Sequence, residues 1–513
     1  MKGESPFQIL TGNGGFFMEF RPGLEEVLKM KQEGIDKSVP ISTEIFSDIK
    51  TPIEVMRILK SVSNHCYMLE SIEDNRNWGR YTFLGFNPIM EITCMNAKLM
   101  IKGEKNIEVL TSQPGKYIRE IIEEYKSRTF DYLPPFAGGL VGYFSYDYIK
   151  YAEPSLNLDA KDEEHFKDVD LMLFDKVIAF DHFRQKMIII QNMKLETGEE
   201  GYEKAINSIK DIIRLIQKHK PKEIPKGHRT SEYRYLFNKE EYMEKVEKTK
   251  RYIREGDIFQ LVLSNRIEAD YEGSLFDTYR TLRTLNPSPY MFYFSSDDIE
   301  MAGASPETLV KLISGTTYTF PLAGTRRRGV DDEEDLKLEQ ELLADEKELS
   351  EHNMLVDLGR NDLGKVCEYG SVLVERYMEI LRYSHVMHIG STVKGTIRKD
   401  KHAIDAIDAV LPAGTLSGAP KIRACEIINE LENNKRGVYG GAIGYLDFSG
   451  NMDTCIAIRL VFKKNGKIFI RSGAGIVADS VPENEFMECI NKAKAVLTAV
   501  DIAQGGIDND ITD

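Results

Sequence analysis

Four glutamates stand out by type and spacing: Glu348 and Glu351 in KELSEHNMLVDLGRND, and Glu485 and Glu488 in VPENEFMECINKAKAV. Each pair has i,i+3 spacing, which puts both side chains on one face of a helix. On a helical wheel Leu336, Leu343, Met354, Leu355 and Leu358 share one stripe, with Glu351 inside it and Glu348 beside it. A carboxylate on a buried stripe is costly unless a cation meets it. The second pair flanks a stripe of Phe486, Ile490, Ala493, Leu497 and Val500. Its simpler reading is a solvated face on which Glu488 and Lys492 form an i,i+4 ion pair. If the two helices meet, four hard oxygen donors face one another, a set suited to Mg2+, which takes few carboxylates and leaves room for an anionic substrate. Three more stretches, PLAGTRRRG (321–329), LPAGTLSGAPK (411–421) and RSGAGIVADS (471–480), offer glycine-opened backbone amides to an anion. None of them is a nucleotide-binding motif.

The elements that must carry these residues fall into two parts. From about 64 to 193 short β-branched and aromatic runs such as GRYTFLGF, GGLVGYFSYDY and KMIIIQNM predict strands. A helical run, GYEKAINSIKDIIRLIQKHK, follows. Residues 1–219 thus read as a β-rich N-terminal domain and the polar, proline-containing stretch 220–233 as a linker, with a second domain over 234–502 and a loose acidic tail at 503–513. In the second domain one long helix is expected over 331–360, strands over 371–398 and helices over 401–434. A β-meander of YGGAIGYLDFSG, DTCIAIRLVF and KIFIRSGAGI, with a hairpin turn at Asn465-Gly466, comes next, then a final helix from Ser480-Val481-Pro482 to about Val500. GGLVGY (138–143) echoes GGAIGY (440–445), which fits two related sheets or chance. Strands and helices do not alternate regularly, so the fold class is α+β with large antiparallel sheets rather than a parallel doubly wound sheet.

Composition excludes several functions. The 513 residues are 42% hydrophobic and 29% charged, with 67 Lys plus Arg against 82 Asp plus Glu, a net charge of −15. With no basic tract to follow a phosphate backbone, nucleic acid is not expected as a partner. The six cysteines show neither CxxC nor Cys/His spacing, so neither a disulfide framework nor a zinc site is signalled. No apolar run is long enough to span a bilayer. A cytoplasmic protein without membrane contact is the expectation.

Together with SEHNMLVDLGRNDLGKV, YSHVMH and YGGAIGYLDFSGNMDTCIAIR, these stretches resemble the chorismate-utilising enzymes, densely over 236–500 and more loosely over about 45–185. The resemblance implies two packed antiparallel sheets flanked by helices. Within the family it points to the branch that adds ammonia and forms anthranilate, the committed step toward tryptophan. Gln260 in GDIFQLVLSNR stands where water-adding relatives carry a lysine, and Ala323 in PLAGT stands where aminodeoxychorismate synthases carry one. Aminodeoxychorismate synthesis is the rival within the family; a non-catalytic sensor of tryptophan or a dicarboxylate is the rival outside it.

Roles follow by the same resemblance. Glu348, Glu351, Glu485 and Glu488 match the Mg2+ shell; Arg459, Tyr445, Lys492 and the amides of Gly473, Ala474 and Gly475 match the substrate pocket; Thr325 and Thr415 line the ring site. Glu307 in GASPETLV matches the general acid and His388 the base. His385, on a strand-like segment with His388, is expected to face the other way. Glu70, Ser71, Pro289, Tyr290 and Met291, in YMLESIEDNRNWGR and NPSPYMFYF, match a feedback site for tryptophan. No cysteine lies in a Gly-x-Cys-x-Gly elbow, so the ammonia is expected from a separate glutamine amidotransferase (glutaminase) subunit.

Overall fold

The computed structural model describes residues 18–71, 79–382 and 386–505. His385, most of the stretch after Ser71 and the tail after Gly505 lie outside the described residues.

Two antiparallel sheets, of thirteen and twelve strands among the described residues, form the frame. Each draws strands from both sides of 220–233. In the first sheet the strand Cys66–Glu70 pairs with Tyr290–Ser295, setting Met291 opposite Glu70. In the second, Gly139–Phe144 pairs with Ala442–Asp447. The echoing glycine motifs are therefore neighbours in one sheet, with Gly142 opposite Gly444. A Cβ on either would come to 2.0 Å from a backbone carbonyl oxygen, Asp170's or Asp453's, so only glycine permits this close strand packing.

The strands are apolar on both faces because both are covered. Along Tyr290–Ser295 the alternation sends Phe292 and Phe294 into the core between the sheets, with Tyr67, Val141, Leu171 and Leu309. Met291 and Tyr293 go to the outer face of the first sheet. Helices Leu24–Glu33, Pro52–Val62, Gly198–Lys218, Phe276–Leu285 and Pro482–Gly505 bury that face through residues such as Val27, Val55, Ile209, Tyr279 and Val496.

Three expectations need correction. The long helix over 331–360 is two helices, Asp332–Leu343 and Glu346–Gly364. Asp345 interrupts it by accepting bonds from the amides of Lys347 and Glu348, at 3.1 and 3.3 Å, which starts a new helix with a new phase. A stripe drawn across the break does not exist: Leu336 and Leu343 are exposed, whereas Leu355, Val356 and Leu363 are buried. The final helix runs to Gly505 and buries Cys489, Ala493, Val496, Ala499, Val500 and Ala503, a face rotated from the expected one, on which Phe486, Ile490 and Leu497 are half-buried. The four strands from 442 to 476 are not one meander. Ala442–Asp447 and Met452–Ile456 belong to the second sheet, Leu460–Lys464 and Lys467–Ile476 to the first. The Asn465-Gly466 turn forms as expected, both residues with positive φ (53° and 73°).

Candidate active site

The chain crosses between the sheets at two adjoining places, and both carry candidate residues. At the first, Pro306 and Glu307 link Glu300–Ser305 of the first sheet to Thr308–Ile313 of the second. At the second, residues 457–459 link Met452–Ile456 to Leu460–Lys464. Backbone bonds tie the crossings together: Ile456 N–H donates to the Glu307 carbonyl at 3.0 Å and Ala304 N–H to the Arg459 carbonyl at 3.0 Å. Arg459 has φ +53°. The pairing of Lys467–Ile476 with Leu460–Lys464 ends at Ile470 opposite Val461, short of Gly473 to Gly475.

Glu307 accepts a hydrogen bond from the Thr415 hydroxyl at 3.0 Å. Burial pushes its carboxyl above the usual carboxylate range, outweighing that bond and the charges of Lys492 and Arg459. Arg459 donates to the Lys492 carbonyl at 2.9 Å, and among the described residues no ion pair engages it. Burial lowers its affinity for a proton, against Tyr439, Glu307 and Glu488. A desolvated guanidinium without a partner carboxylate suits an incoming anion.

His388 lies opposite Thr325 on the paired strands Leu322–Arg327 and Val386–Thr396. Its Nδ1 is 2.9 Å from the Gly324 carbonyl and 3.1 Å from the Thr325 hydroxyl. An Nδ1–H directed at that carbonyl leaves the lone pair on Nε2, the form of a base. Burial pushes the imidazole's pKa below its ordinary value, and the Arg459 charge adds to this. Arg459 therefore bears on Glu307 and His388 alike.

The glutamates come from the two helices. Glu348, Glu351 and Glu485 are half-buried and Glu488 is exposed. Burial raises the Glu351 carboxyl, and so do the like charges of Glu348 on its own helix and Glu488 on the other. Burial likewise raises Glu485, with a contribution from Glu488. The two pairs thus meet across one gap. They form an open ring: among the described residues only His65, Glu91 and Asp297, at another place, bring three donor groups within 4.8 Å of one another. Lysines and an arginine hold part of the ring, with Lys492 2.6 Å from Glu488 and Arg326 3.5 Å from Glu348. A set of hard oxygens whose like charges raise Glu351 and Glu485 despite these cations fits a divalent hard cation.

Lys492 also donates to the Gly473 carbonyl at 3.1 Å, so Gly473 faces away from the neighbouring strand Gln260–Glu272. Strand alternation then turns Gly475 outward too and Ala474 toward its partner Leu263. Gln260 is buried with its Oε1 unpartnered, and its Nε2 lies 3.5 Å from where a Cβ on Gly475 would be.

The remaining candidates gather elsewhere. A cavity of about 1240 Å³ is lined by Glu70, Ser71, Pro289, Tyr290 and Met291, all five expected inhibitor residues. Neither Glu307 nor His388 lines it, so the chemistry is assigned to the crossings. Glu70 is buried and paired with Arg283. Tyr445, expected in the substrate pocket, lines this cavity instead and stacks on Phe136 at 4.4 Å. The tyrosine acting on Arg459 is Tyr439, which the sequence reading passed over. Both lie in VYGGAIGY; the signal separating them is that Tyr439 precedes the strand Ala442–Asp447, whereas Tyr445 is within it. The two regions adjoin: the Tyr290 hydroxyl is 2.8 Å from that of Thr308, the residue after Glu307.

The family described as chorismate binding enzyme matches residues 64–498. Anthranilate synthase component 1 of Acetivibrio thermocellus is 44% identical over 94% of this chain and 99% of its own length. That of Aquifex aeolicus is 43% identical over 95% and 99%. The crystal structure of anthranilate synthase component I from Streptococcus pneumoniae superposes with a TM-score of 0.73 at 36% identity, covering 88% of this chain and 98% of that one. The menaquinone-specific isochorismate synthase of Escherichia coli, at 19% identity and a TM-score of 0.67 over 93% and 98%, shares the fold.

Proposed function

Because the chain belongs to the chorismate-binding enzyme family, we propose that it converts chorismate and ammonia to anthranilate, pyruvate and water. The observation that carries this reading is that Arg459 bears on both Glu307, whose carboxyl burial raises, and His388, whose imidazole burial lowers, at one anion-seeking place. Ammonia adds at ring C2 while the C4 hydroxyl leaves, and Glu307 gives that hydroxyl the proton that makes it water. His388 then removes the C2 proton, and the ring becomes aromatic as the enolpyruvyl C–O bond breaks and pyruvate departs. Arg459 and the outward amides of Gly473 and Gly475 hold the enolpyruvyl carboxylate; Thr325 and Thr415 flank the ring. Gln260, whose polar side chain faces the site without a charge, suits an amine nucleophile better than a base-activated water.

Glu348, Glu351, Glu485 and Glu488 would hold Mg2+, which when bound supplies the positive charge that balances these acids and anchors the ring carboxylate. The relatives' designation as a first component supports a partner chain, and a glutamine amidotransferase would supply the ammonia. Tryptophan is the proposed inhibitor in the Glu70 cavity, where Pro289, Tyr290 and Met291 offer an apolar wall. Its amine would compete with Arg283 for Glu70.

The deciding experiment gives the purified chain chorismate and ammonium, at a pH where much of the ammonium is free amine, and follows anthranilate fluorescence with and without Mg2+. Product that needs the metal supports the reading. An aminated ring that keeps its enolpyruvyl group would favour the aminodeoxychorismate alternative.

A further inference from the structure

Arg436 follows the helix Lys421–Glu432, and its side chain is 2% exposed. Nε and Nη2 form a fork with Glu432, at 2.9 and 2.6 Å. Glu432 also faces Arg471 at 3.6 Å, so one carboxylate serves two buried guanidiniums. Nη1 of Arg436 donates to the Leu416 carbonyl at 2.6 Å and Nη2 to the Val262 carbonyl at 2.7 Å. The guanidinium lies 5.7 Å from the ring centre of Tyr439. These contacts join three segments that each carry a site residue. Leu416 follows Thr415, whose hydroxyl meets Glu307; Val262 lies two residues from Gln260; Tyr439 acts on Arg459.

We infer that Arg436, which touches no reacting atom, is a positioning residue: its fork holds the Thr415 turn and Tyr439 against the strand Gln260–Glu272, setting Thr415 on Glu307. This rests on the proposed role of Glu307 as the acid. Four bonds leave from three separate nitrogens of the planar guanidinium, whereas a lysine ammonium has three donors on one nitrogen and cannot make them all.

Arg436→Lys tests this. Turnover should fall about tenfold or more while KM for chorismate changes less than about threefold. A purely structural role would lower Tm and nothing else, so the discriminating readout is the pH profile. The Thr415 bond lowers the Glu307 pKa, and without it Glu307 keeps its proton to higher pH. The alkaline limb of kcat/KM should therefore move to higher pH. Thr415→Val should move it equally, and the double variant no further than either single one. A limb that stays in place in Arg436→Lys overturns the inference, as does an additive shift in the double variant. If Arg436→Lys does not fold, Glu432→Gln, which leaves one of the fork's two acceptors and removes its charge, is measured in the same way, with a shift in the same direction expected and an unmoved limb again overturning the inference. Infrared titration of the Glu307 carboxyl reads its proton affinity without turnover. Failure of the reaction and failure of this inference are thereby distinguishable.

Discussion

The two places where ligands are expected treat charge in opposite ways. Around the Glu70 cavity charges are paired within the chain: Glu70 with Arg283, Asp181 with Arg80, Glu44 with Arg184 and Asp453 with Lys311. At the sheet crossings Arg459 has no ion pair among the described residues, burial raises the Glu307 carboxyl against nearby cations, and burial and like charges raise Glu351 and Glu485. Paired charge stabilises a fold, whereas unpaired charge in a cleft marks a place where substrate and metal complete the balance. The difference teaches that one site is finished by folding and the other by its ligands.

The comparison breaks most sharply if the two acids exchange behaviour. Glu307→Gln is expected to lower kcat by about 10²–10⁴ through loss of general-acid catalysis, with Tm unchanged or raised, since a desolvated carboxyl disappears. Glu70→Gln is expected to do the reverse. It leaves Arg283 without its partner, at a stability cost of about 2–3 kcal/mol because Arg283 is partly solvated, and leaves the turnover number near its original value. Calorimetry and steady-state assays on both variants decide the matter; a large Tm loss in Glu307→Gln with normal turnover would undo the contrast.

A smaller effect separates the two tyrosines. Tyr439→Phe should lower kcat/KM for chorismate severalfold, because the hydroxyl that bears on Arg459 is lost. Tyr445→Phe should change it less than about twofold, because its ring, stacked on Phe136 in the other region, is retained. Equal losses would mean that the cavity and the crossings are one site.

The smallest effect concerns pH. Glu351 and Glu485 have pKa values raised above 4.5 in the folded chain, so the native state binds protons more tightly than the unfolded one. Stability from this source is present at low pH and falls as pH rises from 4.5 through the folded values. Metal-free protein should therefore lose Tm over that interval, and Mg2+ should flatten the loss. Glu351→Gln should remove part of the slope even without metal; an unchanged slope would place Glu351 outside the repelling ring.

Legibility followed the range of the interactions involved. The E-x-x-E pairs were readable because two residues three apart on a helix face one way wherever the helix lies. Glu307 and His388 were reached through family motifs rather than through periodicity, since a loop acid and a strand histidine carry no local mark of their role. Tyr439 was missed for a similar reason. Position along VYGGAIGY ranks the two tyrosines only once the start of the strand Ala442–Asp447 is known.

Sequence by itself determined the helix and strand types, the antiparallel character of the sheets, the Asn465-Gly466 turn and the final helix at Pro482, all set by neighbours a few residues apart. Tertiary structure alone decided which sheet each hairpin joined, that Gly142 meets Gly444, and that Glu307 and Arg459 share a crossing. It also set the buried face of the last helix. The physical reason is that strand pairing and burial are contests among distant segments, and no window of the chain contains both contestants.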